Sequence, residues 1–90
     1  DHSALPRLYI TAARGASLTI MLNSKSFSFK MPTGFSNVNI DSGSESCYFT
    51  SNNLNDCYGS DTWPELTPGE NKICVLNAQS AKIFPNWRTL

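Results

Sequence analysis

The sequence is poor in the residues that catalysis and metal binding use most. It has one histidine, His2, whereas a Ser or Cys nucleophile is usually activated by a neighbouring histidine. Its three cysteines, Cys47, Cys57 and Cys74, include no Cys-x-x-Cys pair, and a zinc site needs three or four clustered ligands. There is no glycine-rich phosphate loop. The sequence therefore predicts no catalytic, cofactor-binding or metal-binding residue and no enzyme.

Excess charge and long apolar runs are also lacking. Seven basic and seven acidic residues give a formal net charge of zero. A basic patch or stripe is the electrostatic footprint of nucleic-acid binding, and none is visible. The hydrophobic residues occur in short runs, whereas a membrane-spanning helix needs about 20 consecutive apolar residues. We therefore expect neither nucleic acid nor membrane as a partner.

The chain of 90 residues has three cysteines, an odd number that cannot all pair in disulfides within one chain. Small secreted domains stabilised by disulfides usually carry an even and denser set. We expect three free thiols in a reducing compartment, with no disulfide between Cys47 and Cys57. One disulfide plus a free thiol is the alternative.

The dominant hydrophobic period is two. In Leu18–Leu22 and in Phe27–Met31 apolar and polar side chains alternate, which is typical of antiparallel strands with one buried face. The same criterion predicts strands at Val38–Asp41, Asn71–Leu76 and, less cleanly, Ile83–Trp87. Leu8–Thr11 is predicted to be a strand because it is rich in residues that fit a pleated surface. No window of ten residues shows a helical period. We predict one all-β domain over residues 1–90, an antiparallel sandwich or barrel.

Turn-forming residues separate the strands. Arg14–Ala16 and Asn23–Lys25 are short enough to connect hairpins. Pro32–Gly34 and Ser42–Ser44 are predicted turns, and Thr50–Asp56 is predicted to be a polar loop between two strands. The segment Asp41–Glu45 also offers oxygen ligands for calcium, but it lacks the EF-hand pattern, and an acidic turn is the favoured interpretation.

Five large aromatic residues could form a platform on which a sugar ring stacks: Trp63, Trp87, Tyr9, Tyr48 and Tyr58. The alternative is that the tryptophans fill the core, because a buried aromatic side chain removes about 150–250 Å² from water. The core interpretation is favoured.

The last third of the chain carries a more specific pattern. Trp63-Pro64-Glu65-Leu66-Thr67-Pro68-Gly69-Glu70-Asn71-Lys72-Ile73, followed by Ile83-Phe84-Pro85-Asn86-Trp87-Arg88-Thr89-Leu90, resembles the ending of siphophage distal tail proteins. Those proteins close with an aromatic-Pro-x-Leu-x-Pro-Gly-x-Asn-x-Ile segment and a terminal Pro-x-Trp-Arg strand. Val38–Ser42 followed by Cys47-Tyr48 is similar to their Ile-Asp-Ser segment and the strand after it. The resemblance spans nearly the whole chain and is sharp from about Asn37 onward.

The resemblance implies a galectin-like jelly-roll sandwich at the tip of a phage tail, a virion protein assembled in the bacterial host cytoplasm. Its expected partners are other tail or baseplate proteins, and its role is to link the tail to the baseplate or receptor-binding apparatus. In that family a homo-oligomeric ring is built mainly by an N-terminal domain that this sequence does not contain. The chain is then either the C-terminal part of a longer tail protein or a standalone relative.

Two other functions stay open. One is a carbohydrate-binding module for a cell-surface polysaccharide, and the other is a small secreted effector. The galectin sugar site, a His-x-Asn-x-Arg strand, is not present, because His2 is followed by Ser3-Ala4. A galectin-like shape therefore does not by itself imply sugar binding.

The resemblance assigns structural roles to ten residues: Trp63, Pro64, Leu66, Pro68, Gly69, Asn71, Ile73, Pro85, Trp87 and Arg88. Asn71 is expected to cap the Pro68-Gly69 turn through its side-chain amide, and Ile73 to begin a buried face. Trp87 is expected to be buried and Arg88 to point outward. Pro85 has no N–H, so its strand is expected at a sheet edge or its nitrogen at a non-pairing site.

Overall fold

The computed structural model describes residues 4–85. Over that range the chain forms eight β-strands and one 3₁₀ turn, Asn55–Cys57. The strands are β1 (Arg7–Thr11), β2 (Ser17–Leu22), β3 (Lys25–Lys30), β4 (Asn37–Asp41), β5 (Ser46–Phe49), β6 (Asn52–Asn53), β7 (Ile73–Leu76) and β8 (Ser80–Phe84).

The strands form two sheets. One has five strands in the order β6-β5-β4-β1-β8, and the other has three in the order β3-β2-β7. Every pair of neighbouring strands is antiparallel. The prediction of an all-β antiparallel sandwich is confirmed.

The alternation of apolar side chains places the core between the sheets. In β2, Leu18, Ile20 and Leu22 are buried, while the intervening Thr19 and Met21 are more accessible. The same rule applies to the other central strands, since successive side chains point to opposite faces of a sheet. The buried apolar residues are Ala4, Leu8, Ile10, Ala12, Leu18, Ile20, Leu22, Phe27, Phe29, Met31, Val38, Ile40, Cys47, Leu54 and Leu66.

Only one of the two predicted hairpin connections joins paired strands. Asn23 and Ser24 connect β2 to β3, and Asn23 adopts the left-handed conformation that tight hairpins require, with φ of 57°. The prediction for Arg14–Ala16 is wrong. That turn, in which Gly15 has φ of 76°, leads from β1 to β2, and these strands lie in different sheets. A short connection fits either arrangement, so its length could not decide between them.

The polar loop predicted at Thr50–Asp56 contains more structure than expected. It includes β6 and the start of the 3₁₀ turn. The side-chain oxygen of Asn55 accepts a hydrogen bond from the Cys47 amide at 2.6 Å, and that of Asn53 accepts one from the Asn55 amide at 2.8 Å. Asparagine side chains thus tie the segment to β5.

The final strand starts earlier than the alternation predicted. It covers Ser80–Phe84 and lies at an edge of the five-stranded sheet. Pro85 follows its last residue, in agreement with the expected edge position. The predictions for Trp87 and Arg88 fall outside the described residues.

Across residues 4–85, no helix is long and apolar enough to cross a membrane.

Candidate functional site

Asn71 organises the Pro68-Gly69 turn, as its place in the motif predicted. Its side-chain nitrogen donates to the carbonyl oxygens of Thr67 at 2.9 Å and of Gly69 at 3.2 Å. Its side-chain oxygen accepts from the Thr67 amide at 3.0 Å. The Asn71 side chain therefore closes the turn by bonding the backbone of both Thr67 and Gly69. Gly69 has φ of 92°, a conformation that glycine adopts without strain.

The same asparagine joins this turn to the β2–β3 hairpin. The Asn23 side-chain nitrogen donates to the Asn71 oxygen at 3.0 Å, and the Asn23 oxygen accepts from the Lys72 amide at 2.9 Å. The Asn23 amide donates to the Lys72 carbonyl at 2.7 Å. These bonds fix the register in which β7 begins to pair with β2.

The other motif residues divide between core and surface. Pro64 and Leu66 are buried, and Trp63 is half-buried, with its ring stacked on Tyr58 at 4.0 Å between centroids. The prediction that Ile73 begins a buried face is wrong, because 39% of this residue is exposed. Ile73 does face the interior side of its sheet, opposite Leu22, but β7 is an edge strand. Among residues 4–85, no further strand lies beside it.

The sandwich has edges at β6, β8, β3 and β7, and three of them carry features that discourage pairing with another chain. β6 is only two residues long. β8 has Lys82 at its centre and Pro85 directly after it. Short edge strands, lysines and prolines are common devices against unwanted strand addition.

The β3 edge is covered by the chain itself. The Gly59 amide donates to the Ser28 carbonyl at 2.9 Å, and the Ser60 hydroxyl accepts from the Ser28 amide at 3.0 Å. A Cβ at position 59 would lie 2.6 Å from the Ser28 hydroxyl oxygen. The absence of a side chain at Gly59 therefore allows its backbone to lie this close to β3. Lys25 and Lys30 stand at the two ends of this strand.

The fourth edge, β7, contains no lysine or proline within the strand, and no segment of residues 4–85 covers it. Ile73, Cys74, Val75 and Leu76 carry no charge and include no proline. Leu76 is 44% exposed, and Met21, next to Cys74 on the outer face of the sheet, is 43% exposed. We call the four residues of this strand the β7 edge. It is an unpaired, uncharged and apolar strand edge.

A groove separates the β7 edge from β8. It encloses about 160 Å³, and Leu8 lies among its lining residues, together with Val75 and Ile83. Apolar side chains of both sheets therefore reach the surface on this side of the sandwich.

The outer face of the five-stranded sheet is polar. Asn39 lies between Tyr9 of β1 and Tyr48 of β5, directly opposite each of them. Its side-chain oxygen accepts a hydrogen bond from the Arg7 guanidinium at 2.5 Å. Of the five aromatic residues considered as a sugar platform, this face holds Tyr9 and Tyr48.

In the structure the three cysteines are free thiols. Burial raises the pKa of Cys47 to about 12, with a smaller contribution from neighbouring Cys57. Burial also raises the pKa of Tyr58, and Cys47 adds to the rise. Cys47 is therefore a protonated core thiol, whereas Cys74 is exposed on the β7 edge.

The oxygen-rich segment after β4 is a turn. The Asp41 carboxylate accepts hydrogen bonds from the amides of Gly43 at 3.0 Å and Ser44 at 3.4 Å. This arrangement is an Asx turn. Within residues 4–85, no cluster of three His, Cys, Asp or Glu side chains could hold a metal ion.

Sequence reasoning assigned β7 correctly as a strand but did not find its exposed edge. One signal was available: Ile73–Leu76 is a continuous apolar run rather than an alternating one. Such a run is usual for strands buried on both faces. On an edge strand it leaves apolar side chains accessible.

Comparisons with family models, curated proteins and solved structures give no match for this chain.

Proposed function

We propose that this chain is a non-enzymatic assembly domain that binds other proteins, and that it acts in a phage or prophage tail tip in the manner of a distal tail protein. The observation that carries the proposal is the β7 edge, which combines exposed apolar side chains with an unpaired strand. Exposed apolar patches on a soluble domain commonly mark interaction sites.

The tail-tip assignment is supported by the closing motif. Its Pro-Gly turn is held by its asparagine, since the Asn71 side chain bonds the backbone of Thr67 and of Gly69. The turn leads directly into β7. In this proposal the motif serves to position the edge strand that binds a tail or baseplate protein.

The test is co-expression with the proteins encoded by the neighbouring genes, followed by purification under reducing conditions. A tape-measure protein upstream and a tail lysin or receptor-binding protein downstream are the expected neighbours. We expect one of these proteins to co-purify with the wild-type chain. Leu76→Lys should abolish the complex by charging the β7 edge, and Ser51→Lys, in the exposed segment after β5, should leave it intact. The absence of any complex with these neighbours would contradict the proposal.

Carbohydrate binding is the second candidate, and the polar face of the five-stranded sheet favours it. Tyr9 and Tyr48 could stack on sugar rings on either side of Asn39, whose amide is oriented by Arg7. A glycan array with the wild-type chain and with Tyr48→Ala tests this function. Binding that is lost in Tyr48→Ala and kept in Leu76→Lys would favour the sugar-binding function.

A further inference from the structure

We infer that the β7 edge pairs with the β7 edge of a second copy of this chain, antiparallel and in one specific register. The inference goes beyond the proposed function, because it names a second copy of the chain as an occupant of the surface that function uses. It follows from the backbone groups of β7, its charge pattern and its place in the sheet.

The hydrogen bonds at the start of β7 show which backbone groups are available. The Asn23 amide donates to the Lys72 carbonyl at 2.7 Å, so this pair occupies a hydrogen-bonded position of the β2–β7 ladder. In an antiparallel ladder hydrogen-bonded and non-hydrogen-bonded pairs alternate. The next hydrogen-bonded position is therefore Met21 with Cys74, followed by Thr19 with Leu76. The N–H and C=O groups of Ile73 and Val75 point away from β2, toward the open edge.

A second copy can satisfy all of these groups at once. When two β7 strands lie antiparallel about a two-fold axis through Cys74, Ile73 of each copy lies opposite Val75 of the other. Both residues then occupy hydrogen-bonded positions, and both have their backbone groups directed at the partner. Shifting the register by two residues in either direction would pair one of them with a residue outside β7, either Asn71 or Asn77.

The side chains agree with this register. Ile73 and Val75 lie on the interior side of the sheet, opposite Leu22 and Ile20. On that side, Ile73 of each copy would contact Val75 of the other. Cys74 lies on the outer side with Met21 and would face its own copy. Opposed residues thus point to the same side of a continuous sheet, as pairing requires.

The charges do not oppose the pairing. β7 itself has no charged residue. Lys72, which directly precedes the strand in the chain, would lie opposite Leu76, and the two copies of Lys72 would be separated by about 13 Å along the strands. That distance exceeds the Debye length of about 8 Å at physiological ionic strength. By contrast, β8 paired in full with its own copy would place Lys82 opposite Lys82, and like charges directly opposite each other are destabilising.

Sedimentation velocity under reducing conditions, over a range of protein concentrations, tests the dimer. We expect the wild-type chain to dimerise. Ile73→Pro removes an outward N–H at the first residue of the strand, where proline is tolerated. It should weaken the dimer by about tenfold or more, because the symmetric pair loses two hydrogen bonds. Ile73→Val keeps the N–H and should dimerise like the wild type.

Cys74 reports the register independently. A non-hydrogen-bonded pair has a Cα–Cα distance of about 4.5 Å, within the range of about 4.4–6.8 Å that a disulfide spans. Treatment with diamide should therefore link two copies. The two Cys74 thiols lose two protons and two electrons, diamide is reduced to its hydrazine, and one S–S bond forms. Cys74→Ser should prevent the crosslink and still dimerise, and Cys57→Ser should crosslink normally.

A chain that stays monomeric at all concentrations would overturn the inference. So would a dimer that is indifferent to Ile73→Pro and does not crosslink through Cys74. If Ile73→Pro fails to fold, as checked by circular dichroism, the diamide result on the wild type decides. A monomer that still binds a tail protein would leave the proposed function standing. A β7 dimer that binds no tail protein would support this inference and contradict the proposed function.

Discussion

The two edges of the three-stranded sheet differ in whether another segment of the chain covers them. At β3, a later segment of the same chain passes alongside, and Gly59 and Ser60 bond to Ser28. At β7, nothing in the described part of the chain occupies the corresponding position, and Ile73 remains 39% exposed. The difference shows that a loop of this chain covers one edge strand of the sheet, while the described residues leave the other edge strand open. The uncovered edge is apolar, and it is the surface for which we propose a protein partner.

The largest expected effect is the difference in stability between truncating an apolar residue on β3 and truncating one on β7. Phe29→Ala on β3 should lower the free energy of unfolding by about 3–5 kcal/mol, because Phe29 is buried in the core. Ile73→Ala on β7 should cost about 1 kcal/mol, since part of this side chain already contacts water. Urea denaturation of the two variants at low protein concentration measures both costs. Equal losses would mean that the β7 edge is packed like the core.

The thiols provide a second contrast, through pH. Burial raises the pKa of Cys47 to about 12, whereas its ordinary value is 9.0. Above pH 9 the unfolded chain therefore releases this proton while the folded chain keeps it, and stability must fall as pH rises. The slope for this group approaches about 1.4 kcal/mol per pH unit until the folded-state pKa is reached.

Urea denaturation between pH 8 and 11 tests this expectation, with Cys47→Ala and Cys74→Ala as a matched pair. Cys47→Ala should flatten the decline, and Cys74→Ala, at the exposed site, should not. In the native protein iodoacetamide should label Cys74 first and Cys47 last. Rapid labelling of Cys47 in the folded state would contradict its burial.

A third test concerns how β7 is held in place. Asn71→Ala removes the side chain that closes the turn and bonds Asn23. It should lower stability by about 1–2 kcal/mol, since several partly exposed hydrogen bonds are lost together. Asn52→Ala, which loses only bonds of 3.4 Å, should cost much less in the same thermal melt. If both variants melt alike, the motif asparagine does not position β7.

A small effect is also expected where the covering segment meets β3. In Gly59→Ala the new Cβ would lie 2.6 Å from the Ser28 hydroxyl oxygen. That hydroxyl can rotate away, so we expect a loss of about 1 kcal/mol. Hydrogen exchange should show faster exchange of the residue 59 amide, while the amides of β7 are unaffected. Unchanged exchange at residue 59 would mean that the contact with Ser28 tolerates a side chain.

Much of the local structure could be predicted from the sequence, because it depends on short-range chemistry. Alternation in Leu18–Leu22 predicted a strand, and the short Asn23–Lys25 segment predicted a hairpin connection. The motif predicted that Asn71 would close its turn. In each case the residues that matter are within a few positions of one another, and the physical rule needs no knowledge of the rest of the fold.

The predictions that failed required knowledge of lateral neighbours. The Arg14–Ala16 turn has the length of a hairpin, yet it crosses between sheets. Ile73 has the hydrophobicity and phase of a core residue, yet its strand lies at an edge. Hydrophobic phase specifies which side of a strand faces the interior, but it does not specify how many strands lie beside it.

The sequence by itself determined that this chain is built of antiparallel strands, where most of them lie and which faces they bury. It did so because side-chain direction alternates with a period of two along any strand. The tertiary structure alone decided which strands share a sheet, which edges are covered and which one stays open. Those properties depend on contacts between distant segments, such as Gly59 with Ser28, and on the position of β7 as the last strand of its sheet.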